Sequence, residues 1–237
     1  MGVTPGIGTL RESSLHAALK QLYARPGDDI EAARDGYVVD LVRPHELVEF
    51  QTGNFGSIGA KLRTLLATHR VRVVHPVAAE TTIVRIDADG AIRSRRRSPL
   101  RGCPHSLFDE LVAIPLVACH PRLTFEVVLV RVDEHRVDAP RTARRRKPWR
   151  VADRVLVEVL ERQTFGGDAG LAGVLPRGLA EPFTTLDVAH GLGVPRALAQ
   201  RIAYTLRTAG LIEIDGRTAG GIGYRTASRS SSAAKPG

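Results

Sequence analysis

Two cysteines, Cys103 and Cys119, are all that 237 residues carry. That number cannot staple a domain of this size and fits a reducing compartment. No stretch approaches the roughly 18 apolar residues of a membrane span. The first residues lack the basic stretch and apolar run of a signal peptide, so a soluble, cytoplasmic protein without a membrane partner is expected. No G-x-x-x-x-G-K-[ST] loop occurs, and no G-x-G-x-x-G opens a helix after a strand, so nucleotide-driven activity is not indicated. Internal repeats are absent. Cys103, His105, Cys119 and His120 are zinc-ligand types, but their spacing fits no standard ligand pattern.

Basic charge is plentiful. Lys and Arg total 34 against 25 Asp and Glu, giving a formal charge of +9 and a pI near 10.3. Such a surface suits a polyanionic partner such as nucleic acid, or is an ordinary solvated, Arg-rich surface. At 43% hydrophobic, the chain can build one full core and a smaller second domain. Composition changes at 138–150, where Arg144, Arg145, Arg146 and Lys147 lie between Pro140 and Pro148. That run, like Arg93-Ser94-Arg95-Arg96-Arg97, either holds a nucleic-acid backbone by counterion release or is ordinary solvated surface. The expected organisation is an α/β domain over 1–136, a basic linker over 137–150, a second domain over 151–225 and a disordered tail over 226–237.

Local patterns give the elements. Ser13 or Ser14 caps a helix over 14–24, with Leu15, Leu19 and Leu22 near the helical period. Strands follow at 36–42 and 47–51, joined by the short loop Arg43 to Glu46. A helix capped by Ser57 carries Ile58, Leu62, Leu65 and Leu66 on one face, and leads to a strand at 71–77 in a parallel position. A hairpin turns at Asp89-Gly90 between 81–87 and 91–97. A helix near 105–114 and a strand near 123–132 complete a mixed sheet flanked by helices. A helix over 151–163 then opens the second domain, with Val155, Leu156, Val159 and Leu160 on one stripe.

The first hairpin carries the chemistry. A four-residue loop sets Val42 against Leu47 and Asp40 against Glu49. Alternation puts Gln51, Val38 and Val42 on the face of the acids, with Val39, Leu41, Val48 and Phe50 opposite. Opposed carboxylates in apolar surroundings need compensation, and a divalent cation supplies it economically. Lys61, one turn into the next helix, reads by itself as a solvated surface residue.

Asp40, Glu49-Phe50-Gln51 and their place between a preceding helix and a following helix and strand resemble the PD-(D/E)XK nuclease superfamily over roughly residues 8–80. The resemblance implies a restriction-endonuclease-like α/β fold that hydrolyses phosphodiester bonds of DNA, with RNA the alternative substrate, using Mg2+ or Mn2+. It implies Asp40 and Glu49 as metal ligands and Glu12 as the acid contributed by the first helix. Gln51 stands where the superfamily has Lys, as in its E-x-Q variants. Gln51 would orient a water, and Lys61 would supply the missing cation. A degenerate, non-catalytic DNA-binding or regulatory protein is the alternative. Cutting both strands of a duplex would favour a homodimer, since one metal site attacks one strand at a time.

Downstream, Thr184 caps a helix, a Gly-containing turn follows, and Pro195 opens a second helix. Leu198, Ala199, Ile202, Ala203 and Leu206 face inward, leaving Arg196, Gln200, Arg201 and Arg207 outside. Gly210 ends that helix, and two short strands carry Arg217 and Arg225. This order resembles a winged helix-turn-helix, which implies DNA contact through the second helix and the wing. Such modules also serve as protein-protein or dimerisation units.

Overall fold

In the computed structural model, residues 13–138, 148–167 and 170–227 are described. The first helix, α1 (Ser14–Tyr23), is capped by the Ser13 hydroxyl, which accepts from the His16 amide. At this length a helix is not stable alone. Its apolar stripe holds it down, with Leu15 and Leu19 buried against Leu41, Val48, Phe50, Val74 and Val128.

Strands β1 (Asp29–Arg34), β2 (Tyr37–Val42) and β3 (Leu47–Phe50) form an antiparallel meander. A short 3-10 turn over 55–58 precedes α2 (Gly59–Leu65). Ser57 does not cap α2: Ile58 occupies the cap position, and the Ser57 hydroxyl donates instead to the Asn54 carbonyl at 2.8 Å. From α2 the chain enters β4 (Val71–Ile86), which runs parallel to β3, as a helical crossover requires. The two segments expected at 71–77 and 81–87 are one 16-residue strand. It turns at Gly90 into β5 (Ile92–Arg97). Two single-turn helices, α3 (Phe108–Leu111) and α4 (Pro115–Ala118), lead to β6 (Leu123–Asp138), parallel to β4. With a last strand, β7 (Trp149–Gly166), the sheet order is β1-β2-β3-β4-β6-β7, with β5 on β4: a mixed seven-stranded sheet flanked by helices.

The largest departure from the sequence pattern is at 151–163, where no helix forms. Those residues lie inside β7 (Trp149–Gly166), which pairs antiparallel with β6 along its length. Register shifts at Leu129/Val130, Arg131/Val132 and His135/Arg136 interrupt the two-residue alternation. Such irregularities let apolar residues fall at a spacing that imitates a helix. The sheet therefore takes in Val137 and Asp138 at one end of the segment assigned to a linker and Trp149 and Arg150 at the other, and continues to Gly166. Positions 139–147 of that linker, Glu12, and the tail beyond Ala227 lie outside the described residues.

The C-terminal module consists of α5 (Thr185–Leu192), α6 (Arg196–Thr208) and the hairpin β8 (Ile212–Thr218) with β9 (Gly221–Thr226). Thr184 and Asp187 form a capping box on α5, Gly193 ends it in the left-handed region, and Pro195 caps α6. The module is not a separate bead. Leu198, Ile202, Leu206 and Phe183 share one apolar cluster with Phe108, Leu111, Phe125 and Leu62, and α6 packs on α3 and α4. Among the described residues no helix is long and apolar enough to cross a membrane.

Candidate functional site

Position 42 does face position 47, and Leu41 faces Val48, as the loop length dictates. At Asp40 the regular ladder gives way. Across on β1, the pairs Ile30↔Leu41 and Ala32↔Val39 flank Glu31, whose φ of 51° is left-handed. Such a backbone is uncommon for a non-glycine residue and marks local irregularity. Alternation fails at this point. Val39 joins the cluster of Val42 and Leu47, Leu41 joins that of Val48 and Phe50, and Val38 is exposed.

The Asp40 carboxylate bends back to accept the Phe50 amide at 2.8 Å. Its other oxygen lies 3.5 Å from Lys20 Nζ and 3.5 Å from His16 Nε2, both on α1. Glu49, 5% exposed, is served from the opposite layer. Lys61 Nζ, on α2, reaches both Glu49 oxygens and donates to the Val38 carbonyl at 2.6 Å. The two acids are thus neighbours, but their basic partners come from helices packed on different clusters, rather than from one shared face.

Electrostatics separates the two groups. Burial pushes the Glu49 carboxyl up to about 7, the nearby Asp40 charge adds to this, and Lys61 offsets only part of it. Burial alone would raise Asp40 as well. Hydrogen bonds from His16 and the Phe50 amide, with the charges of His16 and Lys20, outweigh it and hold Asp40 below the usual carboxylate range. At neutral pH, Asp40 is ionised and Glu49 sits near its midpoint.

Gln51 plays a different part from the one its position suggested. Its amide donates to the carbonyls of Gly53 and Asn54, bracing the loop before α2. Among the described residues no hydrogen bond links it to Asp40 or Glu49. The Gln51 main-chain carbonyl lies 2.7 Å from His75 Nδ1. His75 is buried beneath Phe55, and that burial lowers its pKa.

On α6 the expected basic residues divide. Arg196, Gln200 and Arg207 line one groove between the helix and the β8–β9 hairpin, of about 450 Å³. Arg201 points elsewhere and pairs with Asp109 of α3 at 3.0 Å, so it ties the module to the sheet domain. Arg217 is exposed on β8, and Arg225 pairs with Glu213 across the hairpin at 2.8 Å. Tyr204, Ile214 and Ile222 also line the groove, and all three are substantially exposed. Sequence reasoning missed Tyr204, although it lies four residues after Gln200 and eight after Arg196, on the same helical stripe.

The class these features define is a mixed α/β sheet protein with a carboxylate pair, Glu49 buried and Asp40 partly so, each beside a lysine, and a docked helix-turn-helix-hairpin module. The chain belongs to the family described as "Domain of unknown function (DUF8091)", which matches residues 13–166, from the cap of α1 to the last residue of β7. A protein of Treponema pallidum (strain Nichols), described as "Uncharacterized protein", is 34% identical over 190 residues, covering 79% of this chain and 76% of that one. No solved structure matches.

Proposed function

We propose that the protein is a metal-dependent nuclease acting on DNA, with a restriction-endonuclease-like core and a winged helix-turn-helix that aids binding. The observation that carries this reading is Lys61 on Glu49, next to Asp40. Two carboxylates and an ammonium group at one locus are the parts that phosphodiester hydrolysis needs, and Lys61 restores the cation that Gln51 does not supply.

The donor set suits a hard divalent cation, because carboxylate oxygens are its preferred ligands. Asp40 and Glu49 would hold Mg2+ or Mn2+, which when bound lowers the pKa of water and offsets charge on the phosphate. The protein's own groups do the rest. Asp40, held ionised by α1, keeps a permanent negative charge at the locus. Glu49 must lose its proton before it can ligate, so activity should climb as pH rises through about 7. Lys61, once displaced from Glu49, would be free to pair with a phosphate oxygen. Arg196, Gln200 and Arg207 form a polar stripe along the α6 groove, suited to a duplex.

Plasmid incubated with the full chain and Mg2+ or Mn2+ should be nicked. Asp40→Ala, Glu49→Ala and Lys61→Ala should each reduce the rate by about a hundredfold or more, as expected when a principal electrostatic group is lost. Undiminished nicking by the folded variants would remove the assignment. Competition between RNA and duplex DNA identifies the preferred substrate.

One observation favours a second reading, a non-catalytic DNA-binding or regulatory protein. Lys61, Lys20 and His16 already compensate the two acids, and among the described residues no group of three or more His, Cys, Asp or Glu is gathered as a metal site. That reading predicts DNA retention without cleavage under either metal, and no heat of metal binding by calorimetry.

A further inference from the structure

The acids occupy the middle of the β2–β3 hairpin and the end of β3. A few residues along the same strands, at the turn of the β2–β3 hairpin where β3, β4 and β6 begin, a cleft of about 630 Å³ opens. Its walls carry Arg25, Arg43, Arg70, Arg72 and Arg122 against two carboxylates, Asp28 and Glu46. The volume is within the roughly 300–1,000 Å³ of small-molecule sites.

The floor of this cleft is an ordered ionic network. The Arg43 side chain is only 9% exposed. It donates Nε to Asp28 at 3.1 Å, Nη1 to Glu46 at 3.2 Å and Nη2 to the Tyr23 carbonyl at 2.7 Å. Arg72 bridges Glu46 at 2.9 Å and Glu126 at 2.8 Å. Arg122 is held at the mouth by the carbonyls of Leu66 and Ala67 at the end of α2. Asp28 and Glu46 are therefore engaged by the floor, while Arg25, Arg70 and Arg122 stand exposed around the rim.

Desolvating such a network is costly, and apolar packing of the same volume is often as stable. Here packing is not what surrounds it. Two smaller cavities, of about 350 and 290 Å³, also touch Arg43 and Glu46, so open space meets the network on several sides. The two floor arginines are balanced by Asp28, Glu46 and Glu126, so the excess positive charge facing the open volume lies at the rim, on Arg25, Arg70 and Arg122. Guanidinium forks match phosphate oxygens. Pro26, Pro44 and Val71 give the same cleft apolar wall for an organic group.

We propose that this cleft binds an organic phosphomonoester of about nucleotide size, with its phosphate among the rim arginines and its organic part against Pro26, Pro44 and Val71. The site is separate from the acid pair and does not depend on the nuclease reading. The same phosphomonoester occurs free, as in AMP, or at the 5′ end of a nucleic-acid strand.

Calorimetric titration of the full chain at constant ionic strength tests this, with AMP, adenosine, inorganic phosphate, and a trinucleotide with and without its 5′-phosphate. Saturable binding is expected for AMP or for the 5′-phosphorylated trinucleotide, whichever is tighter identifying the source. Adenosine and the unphosphorylated trinucleotide should bind far more weakly, and inorganic phosphate more weakly than the organic ligand. Arg25→Gln combined with Arg70→Gln should weaken the ligand by about tenfold or more. If that double variant does not fold, Arg25→Glu alone, at an exposed rim position, must still weaken it. Absence of binding by both phosphomonoesters, equal binding of adenosine or inorganic phosphate, or an affinity unchanged in the folded variants would overturn the site.

Discussion

Glu49 is stabilised in its neutral form, and this has a thermodynamic sign. Its folded value of about 7 lies above the ordinary 4.5. Between those limits the native state keeps a proton that the unfolded chain has released. Stability therefore falls as pH rises through the window, and the full cost is present above pH 7. At about 1.4 kcal/mol per pH unit, Glu49→Gln should raise unfolding free energy by about 1–3 kcal/mol at pH 8, and change it little at pH 5. Paired denaturant titrations at the two pH values check this, and a pH-independent effect would contradict the assigned cause. Asp40→Asn should go the other way, losing its ionised contacts at neutral pH and losing progressively less as the medium turns acidic. The acids were conspicuous in the sequence on an apolar hairpin, whereas Lys61, on α2, was marked only by the gap that Gln51 leaves in the resemblance. His16 and Lys20 were not, since only the packing of α1 onto the sheet brings them to Asp40. Gln51 was legible as a departure but not in its role, which depends on where the following loop offers carbonyls.

At the scale of elements, capping and loop length were the readable signals. The Thr184–Asp187 capping box could be anticipated from its letters, and Thr184→Ala should cost about 1 kcal/mol through loss of the bonds to the Leu186 and Asp187 amides. Chemical denaturation with an unchanged m-value would verify it. The β2–β3 register and the parallel placement of β4 also followed from short-range pattern. Strand β1, Asp-Ile-Glu-Ala-Ala-Arg, did not, because its residue types favour strands weakly and its pairing with β2 alone makes it one. Strand β7 was misread for a different reason. Its valines carry strand propensity, but the irregular pairing with β6 scrambles the alternation by which a strand is recognised. Of the two signals the periodic one was deceptive, and the family match ending at Gly166 agrees with the strand.

The C-terminal module shares one apolar cluster with α2, α3, α4 and the sheet. Because α6 shares its buried face with α3, α4 and the sheet, damage on the module should be felt at the far strand. Trp149, the sole tryptophan, lies in β7 and reports from there. Ile202→Ala, at a fully buried position of α6, should cost about 2–5 kcal/mol and shift the Trp149 fluorescence transition and far-ultraviolet dichroism together. Separate transitions would mean that the module unfolds independently. The same continuity bears on products as well as on stability. An acid locus and a groove fixed to that shared cluster keep a constant separation, so the module acts as a ruler. Under the nuclease reading, cuts should fall at a set offset from the segment held by α6, giving sharp fragment ends on a denaturing gel rather than a smear.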